Sequence, residues 1–464
     1  MIVHEHIFRE YDIRGVVGEE LNAEVAEAIG RAYASELREC SGHASPVVAV
    51  GEDNRPSSPE IGAGLVRGLR SAGCDVLHLG TVPTPVTYFG EHWLGTEGAV
   101  QVTGSHNPSE YNGIKMTVGA KAVYGDAIQA LLGRIRARGT VPAKVGVGSL
   151  RRVDPLPSYV ADVSGRFSLE WPVRAVVDCG NGTGAVVAVE LLRAVGVETI
   201  PLFCDSDGTF PNHHPDPTVD EYVQDLVAAV RAHGAHVGIG FDGDADRIGV
   251  VDELGRIVRG DMLLLLFALE ILQREGPRGQ SVVFDVKCSQ VLVEEIRSAG
   301  GNPVMWKTGH SLIKEKMAET GAPIAGELSG HICFADGYYG FDDALYAACR
   351  LCNMLAASDR PLSAMVDDLP RRASSPEIRI EVAEEEKAGL VELASRHFAA
   401  RYETETIDGV RVLFPTGWGL IRASNTQPVI VARYEARTAE DLAGIRAEIE
   451  GWLGRRGVAV DGLG

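Results

Sequence analysis

The chain alternates short apolar runs with longer amphipathic segments. Residues 47–50, 175–177 and 282–284 are apolar runs, and each is followed by a polar or glycine-rich loop and then by a helical pattern. Strands that alternate with helices in this way are typical of βαβ units and of parallel or mixed sheets. The pattern therefore predicts three related α/β modules, which share a layout more than a sequence.

The hydrophobic pattern changes in the last quarter of the chain. Residues 377–382 alternate between charged and apolar side chains, as expected of a strand with one exposed face. A helix and two further strands are predicted to follow, then a strand at residues 429–434 and a final helix at residues 439–453. This part is therefore predicted to be a smaller α+β domain, with the polar residues 371–376 as its linker.

Length and composition agree with a soluble protein of several domains. A chain of 464 residues is too long for one ordinary core, and 45% of its residues are hydrophobic and 23% charged. Together with the patterns above, this predicts an α/β fold of three modules with mixed sheets and a C-terminal α+β domain. The predicted domains are residues 1–150, 151–254, 255–370 and 371–464.

The net charge of −20 argues against a nucleic-acid partner, because such binding depends on Lys and Arg that neutralise phosphates. An acidic chain can still bind a small anion where its basic residues are concentrated in one cleft. The longest apolar run, residues 262–269, is far shorter than the roughly 20 residues of a membrane-spanning helix. Residues 1–10 also lack the pattern of a signal peptide, so we expect a cytoplasmic protein with no membrane partner.

The eight cysteines are scattered without the spacing of a disulfide framework or of a zinc site. Cys349 and Cys352 are the one close pair, and they lie in an apolar, helix-like stretch, residues 344–356. We interpret them as buried thiols.

A candidate nucleophile follows the apolar residues 98–102, which predict a buried strand. The next residues, 103–108, have the sequence Thr-Gly-Ser-His-Asn-Pro, so the strand presents Ser105 at its carboxyl end, where ligands bind in open α/β sheets. A serine in this position can act as a covalent nucleophile or carry a phosphoryl group. An ordinary polar turn is the alternative interpretation.

Three aspartates alternate in residues 242–247, Asp-Gly-Asp-Ala-Asp-Arg, after a strand-like segment. Asp242, Asp244 and Asp246 on a tight loop offer the oxygen ligands that Mg²⁺ prefers. With Glu253 at the twelfth position, the spacing also resembles an EF-hand calcium loop, but Arg247 stands where that loop needs glycine. A solvated acidic turn is the other alternative.

Two further loops carry candidate binding residues. Residues 326–331, Gly-Glu-Leu-Ser-Gly-His, combine a carboxylate and a hydroxyl that suit vicinal sugar hydroxyls, although an ordinary loop is equally consistent. Residues 422–426, Arg-Ala-Ser-Asn-Thr, combine an arginine with three polar side chains that suit a phosphate group, or form a hydrogen-bonded turn. Residues 180–184, Gly-Asn-Gly-Thr-Gly, lack the dinucleotide-binding spacing, and we interpret them as a turn.

These motifs resemble those of the α-D-phosphohexomutases. Residues 103–108 are similar to the phosphoserine loop of that family, and the other three motifs follow in the family's order, one in each predicted domain. The resemblance covers nearly the whole chain and implies four domains around a central active-site cleft. It implies hexose phosphates as substrates, Mg²⁺ as the metal, a hexose 1,6-bisphosphate as activator, and a monomer or weak dimer.

The resemblance also implies roles for particular residues. Ser105 would be phosphorylated and would share Mg²⁺ with three protein ligands, Asp242, Asp244 and Asp246. The active-site cleft would contain Arg14, Lys115, Arg247 and His331, with Lys115 and His331 as candidates for proton transfer. The sugar and its phosphates would contact Glu327, Ser329, Lys287, Lys307, His310, Arg422, Ser424, Asn425 and Thr426. Of these, Glu327 and Ser329 would hold the 3- and 4-hydroxyls, and Arg422 to Thr426 the phosphate that is not transferred.

The implied reaction interconverts hexose 6-phosphate and hexose 1-phosphate through a phosphoserine and a 1,6-bisphosphorylated sugar. Leu328 argues for mannose and glucose, because the phosphoglucosamine mutases of the superfamily typically carry glutamine there. Ala245 replaces a glycine of many relatives, which changes no ligand. Phosphoglucosamine mutase, a metal-dependent sugar phosphatase and a non-catalytic sugar-phosphate or calcium-binding protein remain as alternatives.

Overall fold

The computed structural model of the protein describes residues 2–137, 146–274, 279–425 and 428–458. The strands form four sheets that follow one another along the chain, and we number the domains one to four after them. Short 3₁₀ helices lie at Glu5–Ile7, Thr183–Val186 and Asp220–Val223. No helix within the described residues combines the length and the hydrophobicity that crossing a bilayer requires.

Domain one contains a seven-stranded mixed sheet with the order β1-β5-β4-β2-β3-β7, and β6 pairs with β5. Its strands are β1 (Ile13–Val16), β2 (Val47–Glu52), β3 (Asp75–Thr81), β4 (Gly98–Val102), β5 (Tyr111–Val118), β6 (Lys121–Ala122) and β7 (Leu150–Arg152). Its helices are α1 (Ala23–Ser41), α2 (Ser58–Ser71), α3 (Thr84–Leu94) and α4 (Asp126–Arg136). The side chain of Asn22 caps α1 by accepting hydrogen bonds from Glu24 N and Val25 N, and Gly42 ends the helix with φ 72°.

Domain two contains a five-stranded sheet with the order β12-β11-β10-β8-β9. Its strands are β8 (Arg174–Asp178), β9 (Glu198–Leu202), β10 (Val237–Phe241), β11 (Ile248–Asp252) and β12 (Ile257–Val258), and its helices are α5 (Leu156–Ser164), α6 (Ala188–Val195) and α7 (Gln224–His233). Strands β8, β9 and β10 run parallel, with β9 at the edge of the sheet, whereas β10 and β11 form an antiparallel pair. The aspartate motif is therefore the connection of a hairpin.

Domain three contains a four-stranded sheet with the order β14-β13-β15-β16. Its strands are β13 (Ser281–Asp285), β14 (Asn302–Trp306), β15 (Ile324–Gly326) and β16 (Ile332–Phe334). Its helices are α8 (Gly260–Gln273), α9 (Gln290–Ser298), α10 (His310–Thr320), α11 (Ala344–Ala356) and α12 (Leu362–Asp367). Cys349 and Cys352 are buried free thiols on α11, as predicted.

Domain four contains an antiparallel sheet with the order β17-β22-β21-β20-β19, and β18 also pairs with β22. Its strands are β17 (Ala373–Ser374), β18 (Ile378–Glu381), β19 (Glu403–Glu405), β20 (Val410–Phe414), β21 (Gly417–Ala423) and β22 (Val429–Ala436). Its helices are α13 (Glu384–Ala399) and α14 (Ala439–Gly454). The predicted linker, residues 371–376, differs from expectation because β17 lies within it and hydrogen-bonds to the end of β22.

One apolar core runs through the first three domains. It contains Val86 and Phe89 of domain one, Phe241 of domain two, and Phe284 and Leu345 of domain three. Domain four has a separate core between its sheet and its two helices. The predicted α/β fold, with three modules of mixed sheets and a smaller α+β domain, is confirmed, and the first three domains form the more continuous part of the molecule.

Candidate active site

Ser105 lies in the loop that follows β4, at the carboxyl end of that strand. Its φ of 51° places a non-glycine residue in the left-handed region, and its side chain is only 2% exposed. The hydroxyl Oγ lies 3.1 Å from Nδ1 of His106 and 3.3 Å from Oδ2 of Asp242. The structure thus holds the candidate nucleophile in a single orientation beside the aspartate loop of domain two.

The guanidinium of Arg55, after β2, holds this serine loop from behind. It is fully buried and donates hydrogen bonds to four backbone carbonyl oxygens, those of Ser105 (2.8 Å), Asn107 (2.5 Å), Pro108 (2.6 Å) and Tyr111 (3.1 Å). Gly104 has to be small, because a Cβ atom there would lie 2.4 Å from Nε of Arg55. The sequence analysis missed this role, because an arginine that binds backbone carbonyl oxygens has no sequence motif.

The three aspartates of the motif are fully buried and converge with Lys115, which β5 brings across from domain one. Nζ of Lys115 donates to Oδ2 of Asp244 at 2.8 Å and to Oδ2 of Asp246 at 2.5 Å. The hydroxyl of Thr84, at the start of α3, also donates to Asp244 at 2.5 Å. Domains one and two are therefore joined at the centre of the site.

The electrostatics of this cluster favour a bound cation. Burial and the carboxylates of Asp246 and Asp244 hold the pKa of Asp242 well above its ordinary value. Burial alone would also raise the pKa of Asp244, but the ammonium of Lys115 outweighs it and lowers that pKa. Lys115 thus contacts only two of these three buried carboxylates, and a further positive charge would stabilise their ionised forms.

A divalent metal ion fits the carboxylate oxygens of the loop. One oxygen from each of Asp242, Asp244 and Asp246 lies within 4.8 Å of the others. Oδ1 of Asp244 and Oδ1 of Asp246 are buried and accept no hydrogen bond among the described residues. Oxygen ligands of this kind suit Mg²⁺, which completes its shell with water and phosphate oxygens. In this loop Ala245 has a φ of 58°, a strain of about 1 kcal/mol that a glycine would avoid.

Arg247 and His331 join domains two and three next to the aspartates. Nε of Arg247 donates a hydrogen bond of 2.9 Å to Nε2 of His331. On the other side of the ring, Nδ1 faces Oδ2 of Asp342 at 3.0 Å and Oδ1 of Asp246 at 3.6 Å. The ring of His331 therefore lies between the guanidinium of Arg247 and two buried carboxylates.

Asp342 is a site residue that the sequence analysis missed. It is fully buried, and besides His331 it contacts Nζ of Lys314 at 2.7 Å and Nδ1 of His310 at 3.4 Å. Burial opposes its ionisation, but Lys314 and His310 hold its pKa well below the ordinary value. Asp342 thus remains a carboxylate that orients two histidines of the cleft. Its only sequence signal was its position in an Asp-Asp pair before α11.

The predicted sugar-binding loop lies between β15 and β16. The hydroxyl of Ser329 donates to Oε2 of Glu327 at 2.9 Å, and the backbone N–H of Gly309 donates to Oε1 at 2.5 Å. Lys287, after β13, is buried and contacts Glu377 of domain four at 3.2 Å. Lys307 is exposed to solvent directly after β14, at the start of the loop that leads to α10.

Domain four closes one side of the same cleft. Nε of Arg422 donates to Oδ2 of Asp408 at 2.9 Å, and Nδ2 of Asn425 donates to the hydroxyl of Tyr11 at 2.5 Å. The Tyr11 hydroxyl in turn donates to the carbonyl oxygen of Thr308 at 2.6 Å. Ser424 follows β21, and Thr426 lies outside the described residues. Arg14, near Tyr11, hydrogen-bonds to Asn107 of the serine loop and to Asp12.

Comparison with known proteins decides the family. The four family models that describe phosphoglucomutase/phosphomannomutase match this chain in order: alpha/beta/alpha domain I at residues 5–138, domain II at 157–255, domain III at 259–373 and the C-terminal domain at 377–451. The chain belongs to the phosphoglucomutase/phosphomannomutase family. The predicted membership of the α-D-phosphohexomutase superfamily is thereby confirmed.

Individual members of the family are similar over nearly their full length. The chain is 47% identical over 441 residues to the phosphomannomutase/phosphoglucomutase of Pseudomonas aeruginosa. The aligned region covers 95% of this chain and 94% of that protein. It is 45% identical over 436 residues to the phosphoglucomutase of Neisseria gonorrhoeae, which covers 93% of each. A crystal structure of a phosphoglucomutase/phosphomannomutase family protein from Burkholderia thailandensis superposes with a TM-score of 0.91 and 43% identity, covering 99% of this chain and 100% of that chain.

Replacement of Asp342 by asparagine is expected to lower kcat by roughly 100-fold, the lower end of what general acid–base catalysis contributes. Asparagine keeps the shape but removes the charge that faces Nδ1 of His331, so KM should change little. Steady-state kinetics checks this prediction. The variant should also unfold at a lower temperature, because Lys314 loses its buried partner. The kinetics are therefore measured below that unfolding temperature. An unchanged kcat would show that His331 does not need Asp342.

Proposed function

We propose that the protein interconverts hexose 6-phosphates and hexose 1-phosphates, with glucose and mannose as the sugars. The observation that carries the proposal is the position of Ser105, buried between the aspartate loop and a set of cationic side chains. Phosphoryl transfer depends on positioning and charge neutralisation more than on covalent chemistry. Lys115, Arg14 and Arg247 supply the positive charge that an otherwise acidic chain needs there.

In the proposed cycle a phosphoryl group on Ser105 passes to the free hydroxyl of a hexose phosphate. The bond between phosphorus and Oγ of Ser105 breaks while the sugar oxygen binds phosphorus, which gives a 1,6-bisphosphorylated sugar. This intermediate turns around, and its other phosphate returns to Ser105. A hexose 1,6-bisphosphate supplied from outside would enter the same cycle and phosphorylate Ser105, so it would act as an activator.

Lys115 and His331 are suited to different roles: Lys115 to charge neutralisation or proton donation, and His331 to proton acceptance. Burial opposes the charge on Lys115, but Asp244 and Asp246 outweigh it and hold its pKa well above the ordinary value. Lys115 therefore acts as a fixed positive charge or as an acid, and not as a base. His331 carries a lone pair on Nε2 and, on release of Arg247, is the candidate acceptor for the proton of the sugar hydroxyl.

Mg²⁺ is the proposed metal, held by Asp242, Asp244, Asp246 and a phosphate oxygen on Ser105. When bound, it neutralises charge on the transferred phosphoryl group. The hydrogen bond of 3.3 Å between Oγ of Ser105 and Oδ2 of Asp242 supports this proposal. Cytoplasmic location and a monomeric or weakly dimeric state stay predictions of the sequence.

Recognition of the sugar is proposed to involve domains three and four. Glu327 and Ser329 would accept and donate hydrogen bonds to the 3- and 4-hydroxyls, with Lys287, Lys307 and His310 beside them. Arg422, Ser424, Asn425 and Thr426 would hold the phosphate that is not transferred. Because these residues belong to a domain with its own core, they can release and rebind the intermediate while it turns.

Phosphorus NMR of the protein with Mg²⁺ tests the proposed function. The substrates are glucose 1-phosphate or mannose 1-phosphate with a trace of the matching 1,6-bisphosphate. We expect the corresponding 6-phosphate to appear with each sugar. Accumulation of inorganic phosphate alone would identify a phosphatase, and the absence of any change with either sugar would contradict the proposal.

Replacement of Arg422 by lysine is expected to lower kcat/KM by roughly 10- to 100-fold, mainly through a higher KM. Lysine keeps the charge but cannot form the two parallel hydrogen bonds to phosphate, which contribute about 1.5–3 kcal/mol. Steady-state kinetics with glucose 1-phosphate measures the effect. Arg437→Lys is the matched control, because this exposed arginine follows β22 at the opposite end of its pairing with β21 and should leave KM unchanged. Equal KM values in both variants would show that Arg422 does not bind the phosphate.

A further inference from the structure

Two cysteines of domain two lie in direct contact outside the cleft described above. Cys179 follows β8 and Cys204 follows the neighbouring parallel strand β9. Their Sγ atoms are hydrogen-bonded at 3.3 Å, although the residues are far apart in sequence. Cys179 is fully buried, whereas Cys204 is in part exposed to solvent. This combination of a reachable thiol and a buried neighbour is that of a redox-active pair.

We propose that Cys179 and Cys204 form a reversible disulfide when the protein meets a peroxide, and that this disulfide lowers its activity. The thiolate of Cys204 attacks one oxygen of hydrogen peroxide, the O–O bond breaks, and water leaves with a proton from solvent. The resulting sulfenic acid is attacked by the sulfur of Cys179, which forms the S–S bond and releases a second water. Two thiols are thus oxidised, and one peroxide is reduced to two waters.

The geometry needs only a small movement for this bond. A disulfide joins sulfur atoms at about 2.05 Å, so the two sulfurs at 3.3 Å have to approach by roughly 1.3 Å. The hydrogen bond with Cys179 lowers the pKa of Cys204, and the same bond together with burial raises the pKa of Cys179. Cys204 is the attacking thiol because peroxide can reach it from solvent, and Cys179, which is fully buried, is the resolving one. Cys349 and Cys352 differ, because burial raises the pKa of both.

The two loops that carry the cysteines are joined by further hydrogen bonds. Asn181 donates from its backbone N–H to the carbonyl oxygen of Phe203 at 2.8 Å, and from its side chain to that of Asp205 at 2.8 Å. Asn181 and Phe203 have φ values of 58° and 49°, so both residues next to the pair already occupy the left-handed region. A closing movement of the sulfurs therefore has to shift these loops, because their backbone has little freedom to absorb it.

These loops contact the support of the catalytic serine. The side chain of Asn54 donates to the carbonyl oxygen of Asn181 at 2.7 Å and to the hydroxyl of Ser206 at 2.9 Å. Asn54 precedes Arg55, whose guanidinium holds the backbone of Ser105. In addition, the N–H of Thr183 donates to the carbonyl oxygen of Gly243 in the aspartate loop at 2.8 Å. A shift of the two cysteine loops on disulfide formation would thus displace both the serine loop and the aspartate loop.

Peroxide treatment of the full-length protein, followed by alkylation and peptide mapping, tests the pair. We expect the Cys179 and Cys204 peptides to appear joined, lighter by two hydrogen atoms, and to separate again on treatment with a dithiol. Because a displacement of about 1 Å at an active site can cost up to roughly 100-fold in rate, turnover should fall by roughly tenfold or more and return with the dithiol.

Two variants keep the test specific. Cys204→Ser cannot form the bond, so its turnover should resist peroxide, while Cys40→Ser removes an exposed thiol elsewhere and should respond as the natural protein does. Peptides that carry both cysteines as free thiols after peroxide treatment would overturn the proposal, as would equal losses of turnover in Cys204→Ser and the natural protein. The effect on turnover rests on the proposed function, but the mapping does not. A disulfide in a protein without mutase activity would therefore refute that function alone.

Discussion

Replacement of Ser105 by alanine is expected to lower kcat by roughly 10⁴-fold or more, the scale on which loss of a covalent nucleophile acts. Alanine removes the oxygen that would carry the phosphoryl group, and neither His106 nor Asp242, its two hydrogen-bond partners, can replace it in that position. The measurement is the rate of glucose 6-phosphate formation from glucose 1-phosphate by phosphorus NMR. Substrate binding should persist, because the residues proposed for the sugar and the distal phosphate lie on other loops.

The matched control is Ser109→Ala. Ser109 lies four residues further along the same loop but is exposed, so its variant should keep the turnover of the natural protein. Thermal unfolding of both variants shows whether the loop still folds. A folded Ser105→Ala protein that retains more than about a tenth of the natural kcat would contradict a phosphoserine mechanism.

Removal of divalent ions is expected to lower turnover by roughly 1,000-fold, because a metal ion contributes several kcal/mol of charge stabilisation in phosphoryl transfer. Treatment with a chelator, followed by titration with Mg²⁺, measures both the loss and its recovery. Asp242→Asn should need a higher Mg²⁺ concentration for recovery. Loss of a residue that only supports a metal ligand lowers metal affinity by roughly 10- to 100-fold, and loss of a ligand itself should lower it by more.

Asp225→Asn is the control for this variant, because Asp225 belongs to the same domain but is exposed on α7. Its turnover should follow the same Mg²⁺ titration as the natural protein. If Asp242→Asn recovered at the same Mg²⁺ concentration as this control, the aspartate loop would not be the metal site. Full activity in the presence of the chelator would indicate that Lys115 and the arginines neutralise the phosphoryl group without a metal ion.

Elements with strong local signals were predicted well from the sequence. The strand at residues 98–102 and the helix at residues 344–356 have the predicted bounds, because mostly apolar sequences mark both. The aspartate motif also lies between two strands, as expected. In each case the local structure depends on residues that are close together in the sequence, so the local pattern is enough to predict it.

Other site residues depend on contacts between residues that are far apart along the chain, and no motif in the sequence around them indicates these contacts. Asp342 matters because α10 and β16 bring two histidines to it, and Arg55 because it meets the backbone of a loop fifty residues away. Residues 180–184 were interpreted as a turn, but Asn181 in that turn contacts Asn54 of domain one. Hydrogen bonds to backbone atoms across domains are set by the tertiary fold, so no local pattern predicts them.

The central claim, that Ser105 carries the transferred phosphoryl group, is tested most directly by labelling. The protein is incubated with Mg²⁺ and glucose 1,6-bisphosphate that carries radioactive phosphate, and its peptides are then mapped. The account predicts label on the peptide that contains Ser105, and loss of that label into glucose bisphosphate when unlabelled glucose 1-phosphate is added. Catalytic turnover without label on Ser105, or label that leaves only as inorganic phosphate, would contradict it.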